Sequence, residues 1–218
     1  MSNIIKVEQA EYEYPKGGFR FRCGSLALCG GESLLIHGLN GSGKTTLGKL
    51  MCGILKPRSG KVLVSGEDTR DISLGRIGRS VGYLFQDPAK QLFSLTVWEE
   101  VLLADSIKGT DSEAASLRAN ELLEMFGLHG LKNRSVYRLS RGEKQRLALC
   151  TIFMQGAKAL ILDEPTTGLD RENRFILYES LDGLLQKGIG LAIITHDKEL
   201  KARSTGPTVR VHDGEVFA

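Results

Sequence analysis

The stretch GLNGSGKT, residues 38–45, decides which fold and chemistry this sequence is expected to have. It fits the pattern G-x-x-x-x-G-K-[ST] in full; an apolar strand, residues 33–38, precedes it and an amphipathic helix follows it. The apolar residues of this helix fall at 3-and-4 spacing: Leu47, Leu50, Met51, Ile54 and Leu55. Glycines let successive N–H groups point at a phosphate, and the N-terminus of the helix adds positive charge. The sequence therefore predicts a phosphate-binding loop, with Lys44 on the β- and γ-phosphates and the Thr45 hydroxyl on Mg²⁺. The residues expected to contact a nucleotide here are Gly38, Asn40, Gly41, Ser42, Gly43, Lys44, Thr45 and Thr46.

A second motif, ALILDEP at residues 159–165, places two carboxylates at the end of an apolar strand. Ligands of open α/β sheets bind beyond the carboxyl ends of the strands. We expect Asp163 to hold the Mg²⁺ shell and Glu164 to polarise an attacking water as the general base. Taken alone, a strand that ends in Asp-Glu-Pro is often only a strand entering a turn. The motif gains its meaning from the phosphate loop upstream, whose phosphates and metal those carboxylates would serve.

Around these motifs the hydrophobic pattern changes from strands to helices and back. Two alternating segments, residues 4–14 and 19–28, predict an antiparallel layer at the start of the chain. Roughly seventy mainly helical residues follow the strand predicted at 80–85. Two capping boxes, at residues 96–99 and 140–143, predict helix starts in this insertion.

The end of the chain returns to an alternating α/β pattern. The strands at residues 159–162 and 191–195 are continuously apolar, which is typical of a parallel sheet covered on both faces. Residues 209–212 and 215–217 predict a closing hairpin. Within the helical insertion, Asp111 and Gly127 are start and stop signals of a further helix.

Composition describes an ordinary globular protein. Of 218 residues, 41% are apolar and 25% charged, and 29 basic and 26 acidic residues give a net charge of +3 without a block of like charge, so no nucleic-acid surface is expected. Apolar runs are far shorter than the ~18–20 residues that span a bilayer. The cysteines have no metal-ligand spacing and are expected to be buried thiols in a reducing compartment: Cys23, Cys29, Cys52 and Cys150.

Further motifs follow in the order that the ABC ATPase family has them. Gln86 in FQDP resembles the Q-loop glutamine, LSRGE at residues 139–143 the signature, TTGLD at 166–170 the D-loop, and His196 the switch histidine. A lone glutamine or histidine is usually an ordinary polar residue. Six motifs in the right order are specific together, and this resemblance covers nearly the whole chain.

The resemblance implies an α/β fold: a P-loop NTPase core of the ABC type with a mixed sheet, an N-terminal antiparallel β-layer and an inserted helical subdomain. Residues 1–218 would be a single ABC ATPase domain. Residues 1–85 and 156–218 would form the RecA-like core with the β-layer, and residues 86–155 the Q-loop and helical signature subdomain.

The same resemblance implies an ATPase that dimerises head to tail around two ATP molecules with Mg²⁺. Ser140, Gly142 and Glu143 of the signature, and Asp170 of the D-loop, would complete the nucleotide site of a partner subunit. Gln86 would serve catalysis and the metal, and His196 would orient Glu164 and the water. Tyr14 lies where the family has an aromatic residue that stacks on adenine, although a strand-packing role is equally open.

The signature departs from the family pattern at two positions. Arg141 replaces the usual first glycine and keeps positive charge at the start of a helix that faces phosphate. Glu143 replaces the usual glutamine; it adds negative charge there and can serve the capping box instead. We expect ATP binding to be retained but modified in the composite site.

FQDPAKQLF, residues 85–93, and SLTVWEEV, residues 94–101, look like the Q-loop region of energy-coupling-factor transporter ATPases, which serve cobalt, nickel, biotin and other vitamins. The alternative is that Phe85, Leu92, Phe93 and Trp98 are simply core of the helical subdomain.

The resemblance implies two partners: a second ABC ATPase subunit, which can be identical or different, and an integral membrane transport subunit. It also implies a place on the cytoplasmic face of the cell membrane.

One rival function is that of a soluble ABC ATPase that acts on DNA or ribosomes, although no coiled coil or second cassette is present. Another is a P-loop kinase, which the signature and switch histidine disfavour. The residues themselves argue only for MgATP chemistry.

Overall fold

Strands and helices alternate along the chain as its hydrophobic pattern predicts. The computed structural model describes residues 3–15, 18–109 and 112–217. The strands are β1 (Asn3–Glu13), β2 (Arg20–Cys29), β3 (Ser33–His37), β4 (Ser59–Val64), β5 (Glu67–Asp68), β6 (Val81–Leu84), β7 (Ala159–Asp163), β8 (Gly190–Ile194), β9 (Thr208–His212) and β10 (Glu215–Phe217). The α-helices are α1 (Lys44–Met51), α2 (Leu74–Gly78), α3 (Val97–Lys108), α4 (Glu113–Met125), α5 (Arg141–Met154), α6 (Arg171–Gln186) and α7 (Lys198–Arg203). Within the described ranges, no helix is both long and apolar enough to cross a bilayer.

The strands form one mixed sheet in the order β5-β4-β1-β2-β10-β9-β3-β8-β7-β6. Strand β1 pairs antiparallel with β2 and β4, which is the predicted N-terminal layer. Strand β3 lies parallel to β8 and β9, and β7 lies parallel to β8. The closing hairpin forms as predicted from β9 and β10. The α/β fold class with a mixed sheet is confirmed.

The described residues divide into two compact units. The first comprises Met1–Tyr83, Ala157–Glu164 and Leu181–Ala218, and the second comprises Leu84–Gly156 and Pro165–Ser180. The first unit therefore holds the sheet, and the second holds α3, α4 and α5.

Helix α1 packs closely on the strands of the first unit. Leu47 and Leu50 are fully buried, and a side chain at Gly48 would meet the Ile194 side chain at 3.1 Å. The apolar spacing predicts a helix that continues to Leu55, but α1 ends at Met51. The reason is Gly53, whose φ of +67° is left-handed and incompatible with a continuing helix.

The second unit confirms the helix starts that the sequence predicts. Thr96 caps α3 by accepting from the Glu99 N–H at 3.3 Å, and the Glu99 carboxylate accepts from the Thr96 N–H at 3.0 Å. The predicted start at Asp111 lies outside the described residues; Ser112 is the N-cap of α4. Gly127, with a φ of +63°, follows the end of α4 as expected. The short elements β5, α2 and α7 were not predicted.

The four cysteines are free thiols. Cys23, Cys52 and Cys150 are buried as expected, whereas Cys29 is partly exposed and donates to the Asn3 side chain at 3.2 Å. Burial raises the pKa of Cys23 and of Cys52 to about 11, so both stay protonated and unreactive at neutral pH.

Candidate functional site

Three neighbouring parallel strands of the first unit bring several of the predicted site residues together. The phosphate loop follows β3, Asp163 ends β7, and Thr195 follows β8. Because β3, β8 and β7 are adjacent and parallel, their carboxyl ends lie at the same edge of the sheet. This edge is where ligands of open α/β sheets bind.

The phosphate loop requires glycine at two positions where its backbone passes close to other groups. A side chain at Gly38 would collide with the Val211 carbonyl oxygen. Gly43 has a left-handed φ of +111°, and a side chain there would lie 2.8 Å from the Phe21 ring. Asn40 and Gly41 are exposed at the tip of the loop. The tight loop between β3 and α1 therefore depends on its glycines.

The start of α1 is suited to an anion. Its N-cap is Gly43, which has no side chain to satisfy the first N–H groups, and its first turn contains no acidic residue. The Ser42 hydroxyl is buried, and the described residues offer it no hydrogen-bond partner. N–H groups at a helix start bind phosphate well, so these residues fit the phosphates of a nucleotide.

Lys44 is held inside the loop, with 8% of its surface exposed. Its ammonium donates to the carbonyl oxygens of Gly38 at 2.9 Å and Leu39 at 2.8 Å. Burial lowers the pKa of Lys44, and the carboxylates of Glu164 and Asp163 partly oppose that shift. Its positive charge therefore lies where the loop would hold phosphates.

Asp163 lies at the end of the fully buried strand β7, and 2% of its surface is exposed. Its Oδ2 atom accepts hydrogen bonds from Thr45 Oγ1 at 2.8 Å and from the Tyr83 hydroxyl at 3.2 Å. Burial raises the pKa of Asp163, and both hydrogen bonds oppose this effect. A hydroxyl beside a carboxylate suits Mg²⁺, which prefers oxygen ligands and is usually bound by one or two protein oxygens together with the oxygens of bound phosphates. Thr45 and Asp163 thus fit the metal.

Glu164 has an unusual backbone and a histidine partner. Its φ of +52° is left-handed, and its N–H donates to the Ile194 carbonyl at 2.9 Å. Its carboxylate lies 3.6 Å from Nε2 of His196 and accepts from the His196 N–H at 3.5 Å. Burial raises the pKa of Glu164, whereas the charge of His196 lowers it. Left-handed conformations of non-glycine residues are uncommon, and they occur often at functional sites.

Tyr14 follows β1 and meets the start of α1. Its hydroxyl lies 3.2 Å from Thr46 Oγ1, and its ring contacts the Tyr12 ring edge to face at 4.9 Å. Thr46 itself is buried. The structure therefore brings Tyr14 beside the phosphate loop, and its stacking on adenine stays a prediction.

The remaining predicted site residues belong to the second unit. Gln86 and Arg141 line one cavity of about 520 Å³. Ser140 and Glu143 form the predicted capping box at the start of α5: the Glu143 carboxylate accepts from the Ser140 N–H at 2.6 Å. This hydrogen bond lowers the pKa of Glu143, so its negative charge is retained at the helix start.

The signature and the D-loop are in contact within the second unit. A side chain at Gly142 would lie 2.9 Å from the Gly168 carbonyl oxygen. Asp170 caps α6, because its carboxylate accepts from the Asn173 N–H at 2.9 Å. Gln145, 1% exposed, donates to the Pro165 carbonyl at 3.2 Å.

The sequence does not predict two hydrogen bonds beside site residues, that of Tyr83 in the first unit and that of Gln145 in the second. In each case the sign of such a contact is a polar residue among apolar ones. Tyr83 is the polar side chain of the strand VGYL, and Gln145 lies among the buried residues of α5. Buried polar side chains are almost always hydrogen-bonded, so such residues point to a specific partner.

Comparisons with known proteins agree with this geometry. A family model described as ABC transporter matches residues 23–167, more than half of the chain. A putative ABC transporter ATP-binding protein of Pyrococcus horikoshii is 37% identical over 213 residues, which are 98% of this chain and 82% of that protein. The energy-coupling factor transporter ATP-binding protein EcfA of Methanothermobacter thermautotrophicus is 36% identical over 217 residues, covering 99% of this chain and 70% of its own length.

Solved structures are similar as well. The cbiO1 protein of Clostridium perfringens, part of the ABC transporter complex cbiONQ, has a TM-score of 0.82 and 32% identity, over 100% of this chain and 88% of that one. A dimeric ATP-binding cassette in a post-hydrolysis state, bound to ADP and Pi, has a TM-score of 0.87 and 26% identity, over 98% and 97%. The expected family resemblance is confirmed. The chain belongs to the ABC transporter family of ATP-binding proteins and is an ABC ATPase.

Proposed function

We propose that this chain binds and hydrolyses MgATP in a dimer and drives a separate integral membrane subunit of an energy-coupling-factor transporter, and that residues 1–218 form its single ABC ATPase domain. One observation carries the proposal: Lys44, Thr45, Asp163, Glu164 and His196, which come from three segments of the sequence, converge at the carboxyl edge of β3, β8 and β7.

Each of these residues has a task that its position supports. Lys44 and the N–H groups at the start of α1 bind the phosphates. Thr45 and Asp163 hold Mg²⁺, which neutralises phosphate charge when bound. Glu164 orients and polarises the attacking water and accepts its proton, and its raised pKa brings it nearer to the working pH of a general base. His196 fixes the Glu164 carboxylate, and Gln86 is assigned to the water and the metal.

The signature supports a second phosphate clamp in a dimer. Ser140 begins α5, whose first N–H groups and macrodipole favour an anion. In the proposed head-to-tail dimer, Ser140, Gly142 and Glu143 face the nucleotide of the partner, and Asp170 lies at the same interface. The similarity to a dimeric cassette supports this arrangement. Tyr14 is assigned to the adenine ring.

The second unit offers a surface for the membrane subunit. Phe93 and Leu95 are 70% and 69% exposed, and both border a cavity of about 640 Å³ that Trp98 also lines. Leu92 is buried, so the segment contributes to the core as well. Neighbouring exposed apolar side chains that form a contiguous patch are typical of interaction sites. We assign this surface to the membrane partner and expect the chain to lie on the cytoplasmic face of the membrane.

The class of transport substrate is proposed from family similarity and not from the geometry of the site. EcfA and cbiO1 are the relatives that point to an energy-coupling-factor importer, and metal ions or vitamins are its proposed substrates. A soluble ABC ATPase that acts on nucleic acid or ribosomes is disfavoured, since the similar proteins are named as transporter components.

The test is to purify the tagged chain from native membranes, identify the proteins that accompany it, and measure ATP hydrolysis. Membrane proteins should accompany the wild type, and Phe93→Ser with Leu95→Ser should release them without lowering ATP binding.

Lys44→Ala should lower ATP affinity by about tenfold or more, by loss of charge-assisted hydrogen bonds. Lys61→Ala, at an exposed strand position, is the matched control. Recovery of ribosomes or DNA instead of membrane proteins would contradict the proposal.

A further inference from the structure

Asp163 accepts a hydrogen bond from a residue that has no role in the proposed ATPase mechanism. The hydroxyl of Tyr83, in β6, donates to Oδ2 of Asp163 at 3.2 Å. The Thr45 hydroxyl donates to the same oxygen at 2.8 Å. These residues are 80 and 118 positions away from Asp163 in the sequence and belong to the same unit.

The surroundings hold the Tyr83 ring in place. Its edge lies against α1, where a side chain at Gly48 would approach Tyr83 Cε2 to 3.2 Å, and the ring packs on the core of the first unit. The Tyr83 hydroxyl is thus held where it donates its hydrogen bond to Asp163.

The two donors have different tasks. The proposed function assigns the single Thr45 hydroxyl to the metal, whereas Tyr83 has no such assignment. A carboxylate can rotate about its terminal torsion, which is broad for aspartate. A fixed donor on Oδ2 limits that rotation, and a metal shell depends on outer hydrogen bonds of this kind to orient its carboxylates.

We propose that Tyr83 is a positioning residue that orients Asp163 for Mg²⁺, so that its hydroxyl strengthens metal binding and leaves nucleotide binding without metal unchanged. This inference rests on the proposed role of Asp163 in the metal shell. It concerns a residue that neither the motifs nor the mechanism above include.

The experiment measures the affinity of a non-hydrolysable ATP analogue by calorimetry, once with excess Mg²⁺ and once with a chelator. The dissociation constant with the chelator, divided by that with Mg²⁺, reports how strongly bound metal favours nucleotide binding. The coupling of two ligands is reciprocal, so the same ratio reports how strongly bound nucleotide favours the metal. Tyr83→Phe should reduce this ratio about three- to tenfold, the effect of one net hydrogen bond. Tyr178→Phe, which removes the hydroxyl of a buried tyrosine in the second unit, should keep the wild-type ratio.

Asp163→Asn separates the two ideas. If it reduces the ratio and Tyr83→Phe does not, Tyr83 has no positioning role and the metal role of Asp163 stands. If Asp163→Asn keeps the wild-type ratio, Asp163 does not serve the metal, and both proposals fail. If Tyr83→Phe weakens binding equally with and without Mg²⁺, the hydroxyl supports only the fold, and the inference is overturned.

Discussion

Oε1 of Glu164 lies 3.6 Å from Nε2 of His196, and the His196 N–H approaches the other carboxylate oxygen at 3.5 Å. One residue thus holds the Glu164 carboxylate through its ring and its backbone. The backbone of Glu164 is left-handed, and its N–H donates to the Ile194 carbonyl. This conformation sets the direction in which the Glu164 side chain leaves the backbone.

Changing Glu164 to Gln should lower the rate of ATP hydrolysis by about 10²–10⁴-fold, because an amide cannot accept the proton from water. ATP binding should be retained, and dimers should accumulate with ATP bound. Steady-state hydrolysis and size-exclusion chromatography with ATP measure both effects. Glu215→Gln, at an exposed position of β10, is the control. Unchanged hydrolysis in the Glu164 variant would remove Glu164 from the mechanism.

Changing Glu143 to Gln should separate the two tasks of this position. Glutamine can still close the capping box, but it removes a negative charge at a helix start, so the free energy of unfolding should fall by only about 0.3–1 kcal/mol at neutral pH. The pKa of Glu143 is lowered in the folded protein, so its stabilising charge is present above the ordinary value of 4.5 and is lost as the pH falls through the lowered pKa.

The stability difference between wild type and Glu143→Gln should therefore shrink as the pH drops below 4.5. Denaturant unfolding across this pH range measures it. Removal of the charge from the proposed phosphate clamp should also tighten ATP-dependent dimerisation. A stability difference that stays constant with pH would show that the Glu143 charge has no part in the cap.

Changing Gly142 to Ala should disturb the contact between the signature and the D-loop. The new Cβ would lie 2.9 Å from the Gly168 carbonyl, so backbone must shift, at a cost of about 1–3 kcal/mol. Gly183→Ala, in the interior of α6 with open space around it, should instead stabilise the protein by about 0.5–1 kcal/mol. Thermal unfolding compares the two variants. Equal stability changes would contradict the close contact at Gly142.

Changing Gln145 to Met should leave the buried Pro165 carbonyl without its donor. The expected loss is about 1–3 kcal/mol of unfolding free energy. Because Pro165 directly follows Glu164, kcat for ATP hydrolysis should fall as well, with little change in KM. Gln186→Met, exposed at the end of α6, is the control for both measurements. A wild-type kcat in Gln145→Met would confine Gln145 to a structural role.

The sequence predicts the parts of the site that short segments create by themselves. The phosphate loop and the Asp163-Glu164 pair are local motifs that follow apolar strands, and parallel strands bring their carboxyl ends to one edge. The capping boxes at Thr96 and Ser140 are equally local, and both form as predicted.

Contacts that depend on the order of strands could not be predicted. Tyr83 meets Asp163 only because β6 neighbours β7, and no pattern in VGYL specifies that order. Gln145 resembles any polar residue of an amphipathic helix until its burial is known. Helix α1 is shorter than its apolar spacing indicates for a different reason: the spacing continues to Leu55, but the left-handed conformation of Gly53 ends the helix first.

The two carbonyls around Lys44 restrict which cation can work there. An ammonium group has three N–H donors arranged around one nitrogen. Gly38 and Leu39 engage two of them from within the loop, which leaves one donor for a phosphate oxygen. A planar guanidinium has its donors in one plane and cannot reproduce that three-way geometry. Arginine at position 44 would preserve the charge and still lose these hydrogen bonds. The loop therefore selects the shape of the cation as well as its charge.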